Sequence, residues 1–284
     1  MPSKGFYMDI IEIIKAVFFG IVEGITEWLP ISSTGHLILL DEFVKLNASE
    51  AFKEMFFVVI QLGAILAVVA AFWRKLLPFS SEKGGTTVLR KDILSLWGRI
   101  LVACLPAGVI GLLLGDWIDA LFYNPQTVAF TLVLYGVLFI IVENRYKDRD
   151  FKIKDVGQID YKTALCIGAF QMLALIPGTS RSGATIVGAL LIGVSRVAAA
   201  EFTFFLAVPV MFGASLVKVL KLGLPGTGPE MAVLLIGTMV AFVVSKLVIR
   251  FLMAYIKKHS FKAFGWYRIV LGVIVAMHFL VMAR

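Results

Sequence analysis

Leu29-Pro30-Ile31-Ser32-Ser33-Thr34-Gly35-His36 interrupts an apolar run over residues 8–46, and Pro177-Gly178-Thr179-Ser180-Arg181-Ser182-Gly183 interrupts a second one over 160–194. Each run holds two helix-like pieces, several of them short for a span, separated by a polar turn. Broken backbone at membrane depth is tolerated only where protein or a wet cavity satisfies its N–H and C=O groups. Both regions therefore read as re-entrant helical hairpins. Six uninterrupted apolar stretches accompany them, at 52–73, 93–115, 125–143, 197–220, 230–256 and 264–283. Each is close to the ~20 residues that a spanning helix needs.

Composition agrees. Of 284 residues, 60% are apolar and 16% charged, with mean hydropathy +0.92. A soluble domain is nearer ~45–50% apolar and ~25% charged. A soluble globule, a disordered chain, a collagen and a disulfide-stapled module are excluded. Cys104 and Cys166 lie inside apolar runs, which argues against zinc or a disulfide framework. The expected fold is an all-α polytopic membrane protein, one domain over 1–284, with six transmembrane helices and two re-entrant hairpins. Asp9 and Glu12 break the first apolar run and no small-residue cleavage site follows, so the N-terminus does not read as a signal peptide.

Loop charge gives orientation. Arg74, Lys75, Lys83, Arg90 and Lys91 lie between the first two spans; Arg145, Lys147, Arg149, Lys152, Lys154 and Lys162 follow the third; Lys257, Lys258 and Lys262 separate the last two. The loops near 116–124 and 221–229 carry almost no Lys or Arg. The positive-inside rule puts the three basic loops in the cytoplasm and both termini outside. The net charge of +8 is thus membrane topology, not nucleic-acid binding. The first hairpin then opens outward and the second inward. At an offset of 148, Gly20 pairs with Gly168, Glu23 with Gln171, Ser32 with Ser180, Thr34 with Ser182 and Gly35 with Gly183. Two halves, about 8–145 and 160–284, thus read as an inverted repeat, an architecture that places sites near the midplane at the repeat interface.

The chemistry-bearing residues cluster at the breaks. Glu23 and Glu27 share a helix face, and carboxylates at membrane depth are functional candidates. Two on one face repel unless a proton or a hard divalent cation intervenes. The plainer reading is a carboxylate pair near the interface, facing water. His36 follows Ser32, Ser33 and Gly35, so a hydroxyl and a candidate base are close in sequence; a satisfied interior histidine is the alternative. Arg181, flanked by Ser180 and Ser182, opens a helix whose N-terminus suits an anion, and its fork matches phosphate; a snorkelling Arg is the alternative. Gln61 and Glu201 are more simply explained as interhelical hydrogen-bonding groups. Acids from one hairpin and a guanidinium from the other suit phosphoryl transfer.

The stretches Glu23-Gly24-Ile25-Thr26-Glu27-Trp28-Leu29-Pro30-Ile31-Ser32-Ser33-Thr34-Gly35-His36 and Pro177-Gly178-Thr179-Ser180-Arg181-Ser182-Gly183-Ala184-Thr185 resemble the undecaprenyl-diphosphate phosphatase (bacitracin-resistance) family of bacterial inner membranes. Neither stretch departs from the family pattern, and the likeness covers nearly the whole chain. The resemblance implies hydrolysis of undecaprenyl diphosphate to the monophosphate and phosphate. This recycles the lipid carrier for peptidoglycan synthesis and confers bacitracin resistance. It also implies a divalent cation, Mg²⁺ or Ca²⁺, and a periplasm-facing site. Carried over by position, Glu23 and Glu27 form the acidic, metal-binding motif and Ser33 is the candidate nucleophile, with His36 or Glu27 taking its proton; in the alternative, water attacks directly and Ser33 only positions phosphate. Arg181 binds phosphate, and Ser32, Ser180, Ser182 and Thr185 line it. The expected partners are the lipid substrate and the membrane; a homodimer is compatible.

Three rivals stand beside this. Acid-phosphatase-like lipid phosphatases need a His after the Ser-Arg element, but Thr185 stands there. A polyprenyl-phosphate transporter or flippase would use the same anion site without cleavage. A purely structural subunit leaves this many buried polar groups unexplained.

Overall fold

The computed structural model describes residues 10–81, 87–147, 149–223 and 228–282. Its helices there are α1 (Ile10–Thr26), α2 (Ser33–Phe43), α3 (Glu50–Leu76), α4 (Lys91–Phe122), α5 (Pro125–Arg145), α6 (Tyr161–Gln171), α7 (Arg181–Leu191), α8 (Arg196–Leu222), α9 (Gly228–Tyr255) and α10 (Lys262–Met282). Six of them, α3, α4, α5, α8, α9 and α10, are long and apolar enough to cross a membrane. They fall on the six stretches that the hydropathy marks, and the chain is an all-α multi-pass membrane protein. The two interrupted runs become the pairs α1/α2 and α6/α7.

Local chemistry sets the helix starts. The side chains of Ser49, Asn124, Asp160 and Ser195 accept hydrogen bonds from the N–H groups of Phe52, Thr127, Thr163 and Ala198, capping α3, α5, α6 and α8. Pro125 opens α5, where its missing N–H costs nothing. Two details depart from the sequence reading. The low-charge stretch near 116–124 is mostly helix, because nothing breaks α4 before Asn124-Pro125. Between α3 and α4, Phe79–Ser81 pairs antiparallel with Thr87–Leu89. Lys83, Asp9 and residues 224–227 of the loop expected near 221–229 lie outside the described residues, and the described ends of that loop belong largely to α8 and α9.

Small residues let the helices meet closely, as membrane packing requires. A Cβ on Gly168 of α6 would lie 2.2 Å from the Ala103 carbonyl oxygen of α4, and one on Gly136 of α5 would lie 2.7 Å from the Gly265 carbonyl oxygen of α10. α1 and α3 both pack on α9. α3 and α8 run antiparallel. Glu54 pairs with Lys218 at one end, and Lys75 pairs with Glu201 at 2.5 Å towards the other.

Each broken pair returns the chain to the level where it began. In the first, Lys15 Nζ donates to the Lys45 carbonyl at 2.7 Å and the Asn47 N–H donates to Glu12 Oε2 at 3.1 Å. In the second, the segment before α6 meets the segment after α7: the Ser195 N–H donates to the Ile153 carbonyl at 2.8 Å. The first base adjoins the start of α3 and the second adjoins the start of α8, so the two bases lie at opposite ends of the antiparallel α3/α8 pair.

Candidate active site at the meeting of two chain breaks

Ser32 (φ 75°) and Ser180 (φ 69°) are the two non-glycine residues with positive φ among the described residues. Each such conformation costs ~1–3 kcal/mol and survives only where the surroundings enforce it. Both serines do the same local work. Ser32 Oγ accepts from the Gly35 N–H at 3.3 Å, and Ser180 Oγ accepts from the Gly183 N–H at 3.2 Å. The first N–H groups of a helix have no intrahelical partner. With Gly35 and Gly183 capped, the N–H groups of Ser33 and Thr34 open α2, and those of Arg181 and Ser182 open α7.

These four residues line one cavity of about 160 Å³, together with Glu27, Gln61, and Pro177, Gly178 and Ser180 of the second break. Two positive helix ends therefore face a shared space. Glu27 is its organising group. Its Oε2 accepts from Ser33 Oγ at 2.5 Å, and its Oε1 accepts from Arg181 Nη2 at 3.0 Å. Arg181 Nη1 donates to the Thr203 carbonyl at 3.1 Å, which fixes the fork from behind. Glu27 is 8% exposed, so this pair is drawn together in a poorly solvated place, where its charges are screened little.

Ser180 Oγ lies 3.1 Å from Ser182 Oγ. Thr185 is buried one turn behind, its hydroxyl donating to the Arg181 carbonyl at 2.9 Å and lying 2.9 Å from Thr203 Oγ1. Thr185 supports the helix start and is not among the cavity residues. Glu23 is fully buried, and neither carboxylate oxygen has a hydrogen-bond partner. His36 is placed elsewhere. Its Nδ1 meets the Ser32 carbonyl at 2.7 Å and its Nε2 meets Tyr267 Oη at 2.7 Å, with the two rings stacked. Ser32 itself is a buried cap. The structure thus gathers Glu27, Ser33, Arg181, Ser180 and Ser182 around one space and keeps His36 outside its lining.

A family model, bacitracin resistance protein BacA, matches residues 16–274. The chain belongs to the BacA family. Curated relatives extend the likeness. A protein of Enterococcus faecalis named undecaprenyl-diphosphatase is 63% identical over 270 residues, 95% of this chain and 98% of the relative. One of Desulfitobacterium hafniense with the same name is 62% identical over 273 residues, 96% of this chain and 98% of its own length. A third, undecaprenyl-diphosphatase 1 of Clostridium acetobutylicum, is 60% identical over 275 residues.

In this BacA-family chain, three residues of the site region escaped the sequence reading. Gln61 of α3 lines the cavity, whereas its hydropathic setting suggested only a helix–helix hydrogen bond. Tyr267 holds His36, and nothing in the local sequence pairs positions 231 apart. Arg268 carried a readable signal, since an Arg within an apolar span is costly. It is fully buried in α10 and donates to carbonyls of both breaks: Pro30 at 3.2 Å, Gly178 at 2.8 Å and Thr179 at 3.0 Å. Glu201 is accounted for by its ion pair with Lys75.

Proposed function

We propose that this chain hydrolyses undecaprenyl diphosphate to undecaprenyl phosphate and inorganic phosphate. The observation that carries the reading is the Ser33–Glu27–Arg181 chain of contacts at the joint mouth of α2 and α7. Its relatives' name supports the substrate.

In this reading, Glu27 withdraws the Ser33 hydroxyl proton as Oγ attacks the terminal phosphorus. The bridging P–O bond breaks and undecaprenyl phosphate leaves with that oxygen. Glu27 passes the serine proton to the departing phosphate oxygen; water then attacks the phosphoserine, Glu27 takes a proton from it and returns that proton to Ser33 Oγ as the P–Oγ bond breaks and inorganic phosphate leaves. Arg181 and the free N–H groups of both helix starts stabilise the charge on the equatorial oxygens. The substrate's charge also competes for Arg181, which loosens its hold on Glu27 and frees that carboxylate as a base.

Glu23 tests the fit of a divalent cation. A buried carboxylate with two unpartnered oxygens, one turn from Glu27, is an incomplete oxygen site. Among the described residues no cluster of three or more His, Cys, Asp or Glu side chains exists. Mg²⁺ is commonly held by one or two carboxylates plus substrate phosphates, so the pair fits. Glu23 and Glu27 would hold Mg²⁺ or Ca²⁺, which would supply charge neutralisation at the diphosphate oxygens.

We read the two halves, 8–145 and 160–284, as one domain built from an inverted repeat. Support comes from the strained serine caps at matching positions and from buried, unpartnered side chains at both Glu23 and Gln171. The pairs α1/α2 and α6/α7 are then re-entrant hairpins. The basic connections mark the cytoplasmic side of a bacterial inner membrane, so the first hairpin opens to the periplasm. There hydrolysis would recycle the carrier for peptidoglycan synthesis and remove the diphosphate that bacitracin sequesters. A repeat of this kind also suits a carrier.

Phosphate release from undecaprenyl diphosphate by purified protein, with Glu27→Ala and Arg181→Ala as controls, decides. Release in wild type alone supports the phosphatase. No release, together with lipid translocation in vesicles, supports the carrier.

A further inference from the structure

We propose that Arg268 is a positioning residue that holds the two chain breaks in register, through a fork that a point charge cannot replace. The proposal rests on the phosphatase reading above. Breaking a helix inside a bundle strands carbonyl groups, and stranded buried carbonyls need donors. Arg268 supplies them to both breaks at once. Its Nη1 reaches the Pro30 carbonyl at 3.2 Å, two residues before the strained Ser32. Its Nη2 reaches the Gly178 and Thr179 carbonyls at 2.8 and 3.0 Å, directly before the strained Ser180. The remaining contacts anchor the fork to α5, at the Thr131 and Leu132 carbonyls, with the Tyr135 ring 5.5 Å from the guanidinium carbon. No carboxylate pairs with Arg268 among the described residues.

Those contacts matter because the reacting groups are divided between the breaks. Ser33 and Glu27 flank the first, and Arg181 follows the second. Their alignment is a relation between two segments that share no covalent path shorter than the chain itself. A cation serving only structural solvation would not need to address both. A lysine ammonium keeps the charge and loses the planar span, so it can satisfy one break and not the other. The neighbouring Tyr267 holds His36 at the first break from the same turn of α10, so this turn of α10 contacts the first break through both residues.

The test uses full-length protein purified in detergent, with Arg268→Lys made in wild-type and Arg181→Ala backgrounds. Misplacement by about 1 Å costs about 100-fold in rate, so Arg268→Lys is expected to lower kcat about 100-fold. KM is expected to stay within about threefold, because the cavity groups themselves remain. In the Arg181→Ala background the same change is expected to cost less than about threefold, since there is no longer a cross-break pair to misalign. Wild-type kcat in Arg268→Lys, or equal losses in both backgrounds, overturns the proposal. Arg268→Ala is assayed with free guanidinium and with methylammonium. Restoration by guanidinium alone supports the fork, and failure of rescue in a monodisperse variant opposes it. Wild-type release separates the two readings: no phosphate release by wild type overturns both, whereas release by wild type with unchanged kcat in Arg268→Lys sinks the role of Arg268 alone.

Discussion

Glu27→Gln isolates the group on which the proposed chemistry turns. The substitution keeps the shape of the side chain and removes its charge. In the native site one oxygen takes the Ser33 hydroxyl at 2.5 Å and the other takes Arg181 Nη2 at 3.0 Å. Glutamine can serve Arg181 with its carbonyl oxygen, but its amide then faces Ser33 as a donor. The serine hydroxyl must turn and accept, and no base remains to take its proton. Losing a positioned general base costs ~10²–10⁴-fold. The retained acceptor spares the fold: the stability loss is expected to stay below the ~3–5 kcal/mol that stranding one partner of a buried ion pair brings. The assay is phosphate release from undecaprenyl diphosphate in detergent, beside a thermal melt of the same preparation. The expected result is a loss of ~10²–10⁴-fold in kcat with a modest shift in melting temperature. A glutamine variant within threefold of wild-type kcat would show that another group, His36 being the nearest in sequence, takes the proton.

Three further outcomes are expected. Ser33→Ala removes the nucleophile and leaves residual turnover ~10³-fold or more below wild type, and acid quenching during wild-type turnover traps phosphate on the Ser33 peptide, which peptide mass spectrometry reads. Glu23→Gln raises the Mg²⁺ or Ca²⁺ concentration needed for half-maximal rate by ~10-fold or more, since half of the carboxylate pair loses its charge; an unchanged metal titration would remove Glu23 from that role. Gly168→Ala lowers the melting temperature because its Cβ would meet the Ala103 carbonyl at 2.2 Å, whereas Gly108→Ala, with nothing within 4 Å, leaves stability unchanged or raises it by up to ~1 kcal/mol.

The fold was legible because the membrane imposes one strong rule. A spanning segment must satisfy its backbone internally and present apolar side chains for ~20 residues, and the stretches at 52–73 and 125–143 carry that rule into α3 and α5 almost residue for residue. The helix ends were less legible. Asp116 and Asp119 lower the hydropathy beyond residue 115, but a carboxylate does not end a helix. Only Asn124-Pro125 does, by supplying the next cap and an N1 proline. Short strand pairing between α3 and α4 left no signal, because three residues on each side are too few to establish an alternation.

The site was legible in part for a similar reason. Ser32 and Ser180 announce themselves only as polar letters in an apolar run, yet folding turns both into strained caps of matching geometry. Sequence offset could suggest the match but could not show that the two helix starts share one cavity. Within the first break, proximity along the chain does not set the hydrogen-bond partners. Ser33 and His36 are three apart, and helical spacing would bring them to one face. Both lie in α2, yet Ser33 meets Glu27, six residues back, while His36 is held by Tyr267 from the far end of the chain. Arg268 shows in the sequence as a costly charge within an apolar span, but its partners do not show there. No residue near it in sequence is broken, and its partners are carbonyls, which every residue has. A buried guanidinium with carbonyl partners on two separate segments can be recognised only after the segments are brought together. That is why the chemistry of this site is written in two short motifs, but its geometry depends on a third element that neither motif contains.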